Sequence, residues 1–204
     1  YWILVTSLKT NEEVYTPKPV FIPKNPTFDN YVSIYTTRPY MQYTWNTIAI
    51  AVGATAACIL FGSIAAYGFS RFKFSGNRVL RYIFLASRVF PPISLITPLF
   101  MIVGWIGLYN TITAQIIVNT YMWLPFFIWI NISFFDSIPK ELDQAAQIDG
   151  CTRMQSFFRV ALPLSIPGIA ASSIIAFLGT WNEFLYNLIL APTKNAKNLS
   201  VGAS

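Results

Sequence analysis

Two stretches of this sequence carry no charged residue at all, Pro39 to Ser70 and Val89 to Phe135. A run of about 20 apolar residues crosses the hydrocarbon core of a bilayer as a helix. The first stretch therefore predicts one crossing, at Thr44–Phe69, and the second predicts two, at Tyr82–Trp105 and Ile112–Phe135. A further crossing is predicted at Ser165–Leu190. With the short apolar segment Tyr1–Leu8 as the end of an initial helix, the pattern specifies an all-α integral membrane bundle of about five transmembrane helices. The chain opens inside that segment and stops at Ser204 in a polar stretch, so it reads as a piece of a longer protein. On that reading the first helix is truncated and a last one is missing. Residues 1–41 then form the end of the first helix and an external loop, and residues 42–204 form the membrane domain.

The texture of the segments adds detail. Gly53, Ala54, Ala57, Gly62, Ala65, Ala66 and Gly68 line the first full crossing, and small residues let helix backbones approach closely in lipid. The next crossing carries Pro91, Pro92 and Pro98. Proline removes ladder hydrogen bonds, and broken helices in membranes tend to line cavities, where freed carbonyls find partners. Gly104, Gly107 and Asn110 predict a tight turn, and Pro125 lies inside the following helix. Residues 9–41 hold Pro17, Pro19, Pro23, Pro26 and Pro39, which predicts an extended extramembrane loop.

Composition excludes several classes. Of 204 residues, 54% are hydrophobic and 11% charged, against roughly a quarter charged in a soluble domain. The net charge of +6 is placed at the ends of apolar segments, which is a membrane pattern rather than a nucleic-acid face. Arg71, Lys73, Arg78 and Arg81 crowd one loop, a density that marks the cytoplasmic side. Counted over all loops, however, that side holds seven lysines and arginines against six, which decides little. Histidine is absent. Cys58 and Cys151 fall in a span and in a distant loop, so no disulfide, metal or catalytic constellation is expected. No Gly-x4-Gly-Lys-Ser/Thr loop is present to cradle a nucleotide.

The loop Asp136–Pro163 is too charged to enter lipid, yet it reads as two short helices. Pro139 suits a first helical position, and Glu141 and Asp143 lie in a first turn, where the helix dipole favours anions. Leu142, Ala145, Ala146 and Asp149 share one face at i, i+3, i+4 and i+7. Gly150 suits the left-handed residue that ends a helix. Thr152 and Gln155 form a capping box for a second helix, Arg153–Leu162, which Pro163 should stop. Two helices meeting at a glycine make a rigid elbow with a low-profile face, suited to a groove on another protein.

This elbow resembles the EAA loop of ABC importer permeases. Gln144-Ala145-Ala146, three residues, Gly150, nine residues, then Val160-Ala161-Leu162-Pro163 follow the spacing of that family's pattern. The segments Ala65–Phe72, Pro98-Leu99-Phe100, Gly107–Thr111, Phe135–Pro139 and Trp181-Asn182-Glu183-Phe184 are similar to the maltose-type carbohydrate branch, so the likeness covers essentially the whole chain. The resemblance implies a type I importer permease domain over residues 42–204 and a bacterial or archaeal inner-membrane location, with the elbow cytoplasmic. It implies that the elbow docks on a dimeric cytoplasmic ATPase through Glu141, Gln144, Ala145, Ala146, Asp149, Gly150, Leu162 and Pro163. It further implies a second, non-identical permease subunit and an extracytoplasmic solute-binding protein delivering a sugar or similar solute. ATP and magnesium would sit on the ATPase, with no cofactor on this chain. The family's leading Glu is Gln144 here, and Glu141, one turn earlier, stands on nearly the same face.

Other charges in apolar surroundings are candidates in their own right. Glu183, with Trp181 for stacking and Asn182 for hydrogen bonding, could line a solute path or form a structural pair. Arg88, near the basic loop, reads as a side chain that snorkels to water. A rival class, a transporter driven by proton coupling at Glu183, would be expected to show internal repeats, and none is evident.

Overall fold

The computed structural model describes residues 1–17, 19–37 and 39–203, and every regular element among them is helical. The predicted external loop contains two helices after the short α1 (Trp2–Ser7), namely α2 (Asn11–Val14) and α3 (Asp29–Thr37). The expectation of a wholly extended segment is therefore corrected. The prolines cluster before Pro26 and recur only at Pro39, which leaves a proline-free window where α3 forms.

Helix α4 runs from Tyr40 to Arg71, 32 residues, starting four before the predicted span and ending two after it. Cys58–Gly62 wind as a single π-turn within it, which shifts the register of the packing face part-way along. The next predicted crossing is divided. Helix α5 (Asn77–Ala86) ends before the Pro91–Pro92 pair, a 3-10 turn covers Pro92–Leu95, and α6 (Ile96–Trp105) resumes. Gly107 and Asn110 both adopt positive φ, as the predicted tight turn requires. Helix α7 (Ile112–Ser137) is 26 residues long, with Pro125 inside it. After the elbow, α8 (Lys140–Ile148) and α9 (Arg153–Leu164), the chain continues into α10 (Ile166–Trp181).

Two expectations change here. Pro163 does not stop the second elbow helix, because it occupies an early position in the turn Leu162–Leu164, where no amide is needed. The 75° bend falls instead between α9 and α10. Nor is Ser165–Leu190 one helix: α10 ends at Trp181 and a separate α11 (Leu185–Leu190) follows. Among the described residues, α4 and α7 are long and apolar enough to span a membrane, and α9 with α10 make a third if that bent pair counts as one span.

Gly53 and Gly62 of α4 act as predicted, whereas Gly68 has no atom within 4 Å of an added Cβ. A Cβ on Gly53 would collide with Ile116, and one on Gly62 with Phe127, both on α7. Along the same face of α7, Gly168 and Gly179 of α10 lie against Phe134 and Trp123. Asn131 ties α7 to α10, its Nδ2 donating to Ser172 Oγ at 2.7 Å. At the opposite end from the elbow the chain folds back towards α4. Asn46 Nδ2 donates to the carbonyls of Asn195 and Lys197 at 3.1 and 2.9 Å, and Leu199 N–H donates to Thr47 Oγ1 at 2.8 Å. The last short helix, α12 (Leu199–Gly202), closes this fold-back.

Candidate functional site: the elbow and its anchor

Local sequence builds the elbow. Pro139 is the N-cap rather than the first helical residue, and α8 starts at Lys140. At its end Gly150 takes φ +92°, and the Cys151 amide donates back to the Ala146 carbonyl at 2.9 Å, the bond pattern of a glycine-terminated helix. The capping box of α9 is complete. Gln155 N–H donates to Thr152 Oγ1 at 3.3 Å, and Thr152 N–H donates to Gln155 Oε1 at 2.8 Å.

What holds the elbow to the membrane helices is a residue whose role the sequence did not reveal. Asp143 is buried, 5% exposed, and its carboxylate takes Arg71 Nε on Oδ2 at 2.6 Å. Its other oxygen accepts from the Ser156 hydroxyl on α9 and from the Tyr67 hydroxyl at 3.3 Å. Arg71, the last residue of α4, also donates to the carbonyls of Phe135 and Ile138 at 2.9 and 3.1 Å. One ion pair thus joins α4, the end of α7, α8 and α9. Its donors and acceptors are satisfied on several sides, the condition under which a buried pair is tolerated. Tyr67, Phe135 and Phe157 pack around it, with ring centroids 4.9–6.2 Å apart. A second layer lies nearer the surface, where Arg81 Nη1 meets Asp136 Oδ2 at 2.9 Å and Ser70 Oγ donates to Asp136 Oδ1 at 2.6 Å. Arg71 and Arg81, members of the dense basic loop in the sequence, are structural anchors.

The anchor also sets the rotation of α8. With Asp143 turned inward and Ala146 half-buried beside it, the outward face is Glu141, Gln144, Ala145 and Ile148. That stripe is one residue out of register with the predicted Leu142, Ala145, Ala146 and Asp149. Ile148 is 86% exposed, a large apolar side chain at the tip that the sequence reading passed over. Its spacing of seven from Glu141 was the available signal. Asp149, Gly150 and Pro163 are exposed and Leu162 is half-buried.

Trp181, Asn182 and Glu183 come together in the turn between α10 and α11, engaged with their surroundings. Trp181 stacks on Phe177 at 5.8 Å, and Asn182 Nδ2 donates to the Leu178 carbonyl at 2.7 Å. Glu183 Oε1 accepts from the Tyr186 amide at 3.1 Å, and the Glu183 carbonyl accepts from Asn187 and Asn198 at 2.8 Å each. The carboxylate therefore caps α11. Arg88 is exposed and lies against the middle of α7, its Nη1 donating to the Met122 carbonyl at 2.9 Å. Among the described residues no cluster of three His, Cys, Asp or Glu could hold a metal.

Comparison with known proteins agrees with this geometry. Residues 58–199 match the family described as binding-protein-dependent transport system inner membrane component. The chain is 38% identical over 202 residues to the sulfoquinovosyl glycerol transport system permease protein SmoH of Agrobacterium fabrum, covering 98% of this chain and 70% of that protein. It is 38% identical over 195 residues to the trehalose transport system permease protein SugB of Mycobacterium tuberculosis, with coverages of 96% and 70%. To the trehalose/maltose transport system permease protein MalG of Thermococcus litoralis it is 32% identical over 203 residues, with coverages of 98% and 72%. A crystal structure of a bacterial ABC transporter that imports the acidic polysaccharide alginate shares the fold, with a TM-score of 0.82 over 98% of this chain and 70% of that one at 21% identity.

Proposed function

The chain belongs to the family of binding-protein-dependent transport system inner membrane components, and on that premise we propose that it is a permease subunit of an ATP-driven importer for a sugar or a sugar-like solute. The observation that carries this reading is the anchored elbow: a stiff projection with an exposed apolar tip, tied by one buried ion pair to the ends of two long membrane helices. Force applied to Ile148 and Ala145 reaches α4 and α7 through Asp143 and Arg71, with no flexible linker between. Such a device biases a bundle between two packings when a partner changes shape.

The partner in this account is a cytoplasmic ATPase dimer, which holds the ATP and magnesium, and the elbow faces the cytoplasm. Glu141, Gln144, Ala145 and Ile148 form the docking face. Gly150 and the Leu162-Pro163 step set the angle between α8, α9 and α10. A second permease subunit and an extracytoplasmic binding protein complete the importer. The relatives' solutes, sulfoquinovosyl glycerol, trehalose and trehalose/maltose, support a carbohydrate class. Trp181, Asn182 and Glu183 hold the turn at the far end of α10, close to any solute route between the subunits. Proton coupling at Glu183 has weaker support, because that carboxylate caps a helix.

A paired substitution tests the elbow. Gly150 and Gly76 both have left-handed φ, +92° and +89°, and neither has an atom within 4 Å of an added Cβ. Valine at either site carries the same backbone cost, roughly 1–2 kcal/mol. Gly150→Val is expected to abolish capture of the ATPase and solute uptake, whereas Gly76→Val retains both. Equal uptake by the two variants would overturn the coupling role.

A further inference from the structure

Beside the Pro91–Pro92 break lies a cavity of about 150 Å³ whose walls include Ser87, Arg88, Tyr121, Trp123 and Tyr186. It is smaller than the roughly 300–1,000 Å³ of a site that encloses a whole drug-sized ligand, so it suits one substituent or ring of a larger molecule. The cavity sits beside the middle of α7.

Arg88 dominates it. The guanidinium lies 4.8 Å from the Trp123 ring centroid and 5.5 Å from that of Phe126. One of its nitrogens bonds the Met122 carbonyl, on the turn that Pro125 loosens. These contacts hold the side chain against the middle of α7. The ion pairs among the described residues are Arg71–Asp143 and Arg81–Asp136, so no acid compensates Arg88. Arg88 is exposed and lines the cavity, whereas the indole nitrogen of Trp123 is buried. The Tyr186 hydroxyl is committed as a donor to the Pro92 carbonyl. It ties α11 to the break and keeps the wall in place. The result is a cation set against aromatic faces, with no carboxylate in the lining.

We propose that this cavity is a solute subsite for an oxyanion, a carboxylate or sulfonate carried on the translocated molecule. Arg88 is the contacting residue, and Trp123 is the face on which the neighbouring ring lies. A planar guanidinium presents paired edge donors to such a group, and the aromatic seat pre-organises it. The inference rests on the reading of this chain as a translocation subunit and names the class of solute that subunit accepts.

The test uses the full-length permease purified with its partner subunits in nanodiscs, with tryptophan fluorescence and saturation-transfer NMR as readouts. The probes are glucuronate and its neutral counterpart, glucose. The unaltered protein is expected to bind glucuronate at least about ten-fold more tightly than glucose, and Arg88→Gln to erase that preference, as loss of a charge-assisted contact does. Arg88→Lys is expected to keep part of it. Capture of the nucleotide-binding subunit is measured in the same preparations and stays unchanged in both variants. Three results would each overturn the proposal: no preference in the unaltered protein, a preference that survives Arg88→Gln, or a loss of thermal stability in Arg88→Gln that accounts for the change in binding, marking Arg88 as a brace on the break. Absence of any nucleotide-binding subunit sinks the importer reading instead. It leaves the glucuronate comparison intact on the permease itself.

Discussion

Asp143 shows how one side chain governs the elbow. From the sequence it is a first-turn acid, favoured there by the helix dipole, and nothing local points to its partner. Arg71 lies 72 positions earlier, in the dense basic loop, so the pairing is a product of the fold and is not visible in the sequence. Gly150 and the Thr152–Gln155 box are the opposite case. Backbone chirality and caps act within four residues, and both were legible. Both members of the pair are buried, at 7% side-chain exposure each. Removing one leaves an uncompensated charge, so Asp143→Leu is expected to cost about 3–5 kcal/mol. The double change Arg71→Met with Asp143→Leu is expected to restore much of that loss, read as the melting temperature of the purified protein in detergent. A double variant as unstable as Asp143→Leu alone would contradict the pair's role. Its ATPase capture should remain low even when stability recovers, because the rotation of α8 is then unspecified.

Among the elements, hydrophobic runs and prolines located the long helices and the break before Pro92. They missed the places where side-chain packing decides. Proline counts over residues 9–41 hid the window that becomes α3, and the bend after α9 fell at Ser165 because Pro163 fits an early helical turn. The stripe on α8 was misplaced by one position because periodicity alone does not say which face is held. Close approach of α4 to α7 was legible from the small residues, and it yields a prediction. Gly62→Leu would drive a side chain into Phe127 and is expected to destabilise the bundle by about 1–3 kcal/mol. Gly104→Leu, with no atom within 4 Å of an added Cβ, should be near neutral. Thermal melts of the two variants in one detergent make the comparison, and equal melting temperatures would refute close helix contact at Gly62.

At the scale of the whole molecule, the chain is a membrane helix bundle with a lever fixed to one end and an arginine-lined cavity beside the middle of α7. The helical architecture could be read from the hydrophobic runs, and the family likeness from the spacing in the elbow and the segments that match around it. The outward face of the lever and the position of Arg88 needed three dimensions. The account stands on one mechanical contact, between the Ala145–Ile148 face and a nucleotide-binding subunit. Cysteine placed at 148 (Ile148→Cys) in a background lacking Cys58 and Cys151, followed by photoactivated thiol cross-linking in native membranes, measures that contact directly. The expected product is a single adduct with the ATPase, formed in higher yield than from Pro163→Cys and altered by ATP. A reagent attached at 148 that captures only lipid or other permease chains, with or without nucleotide, would contradict the account.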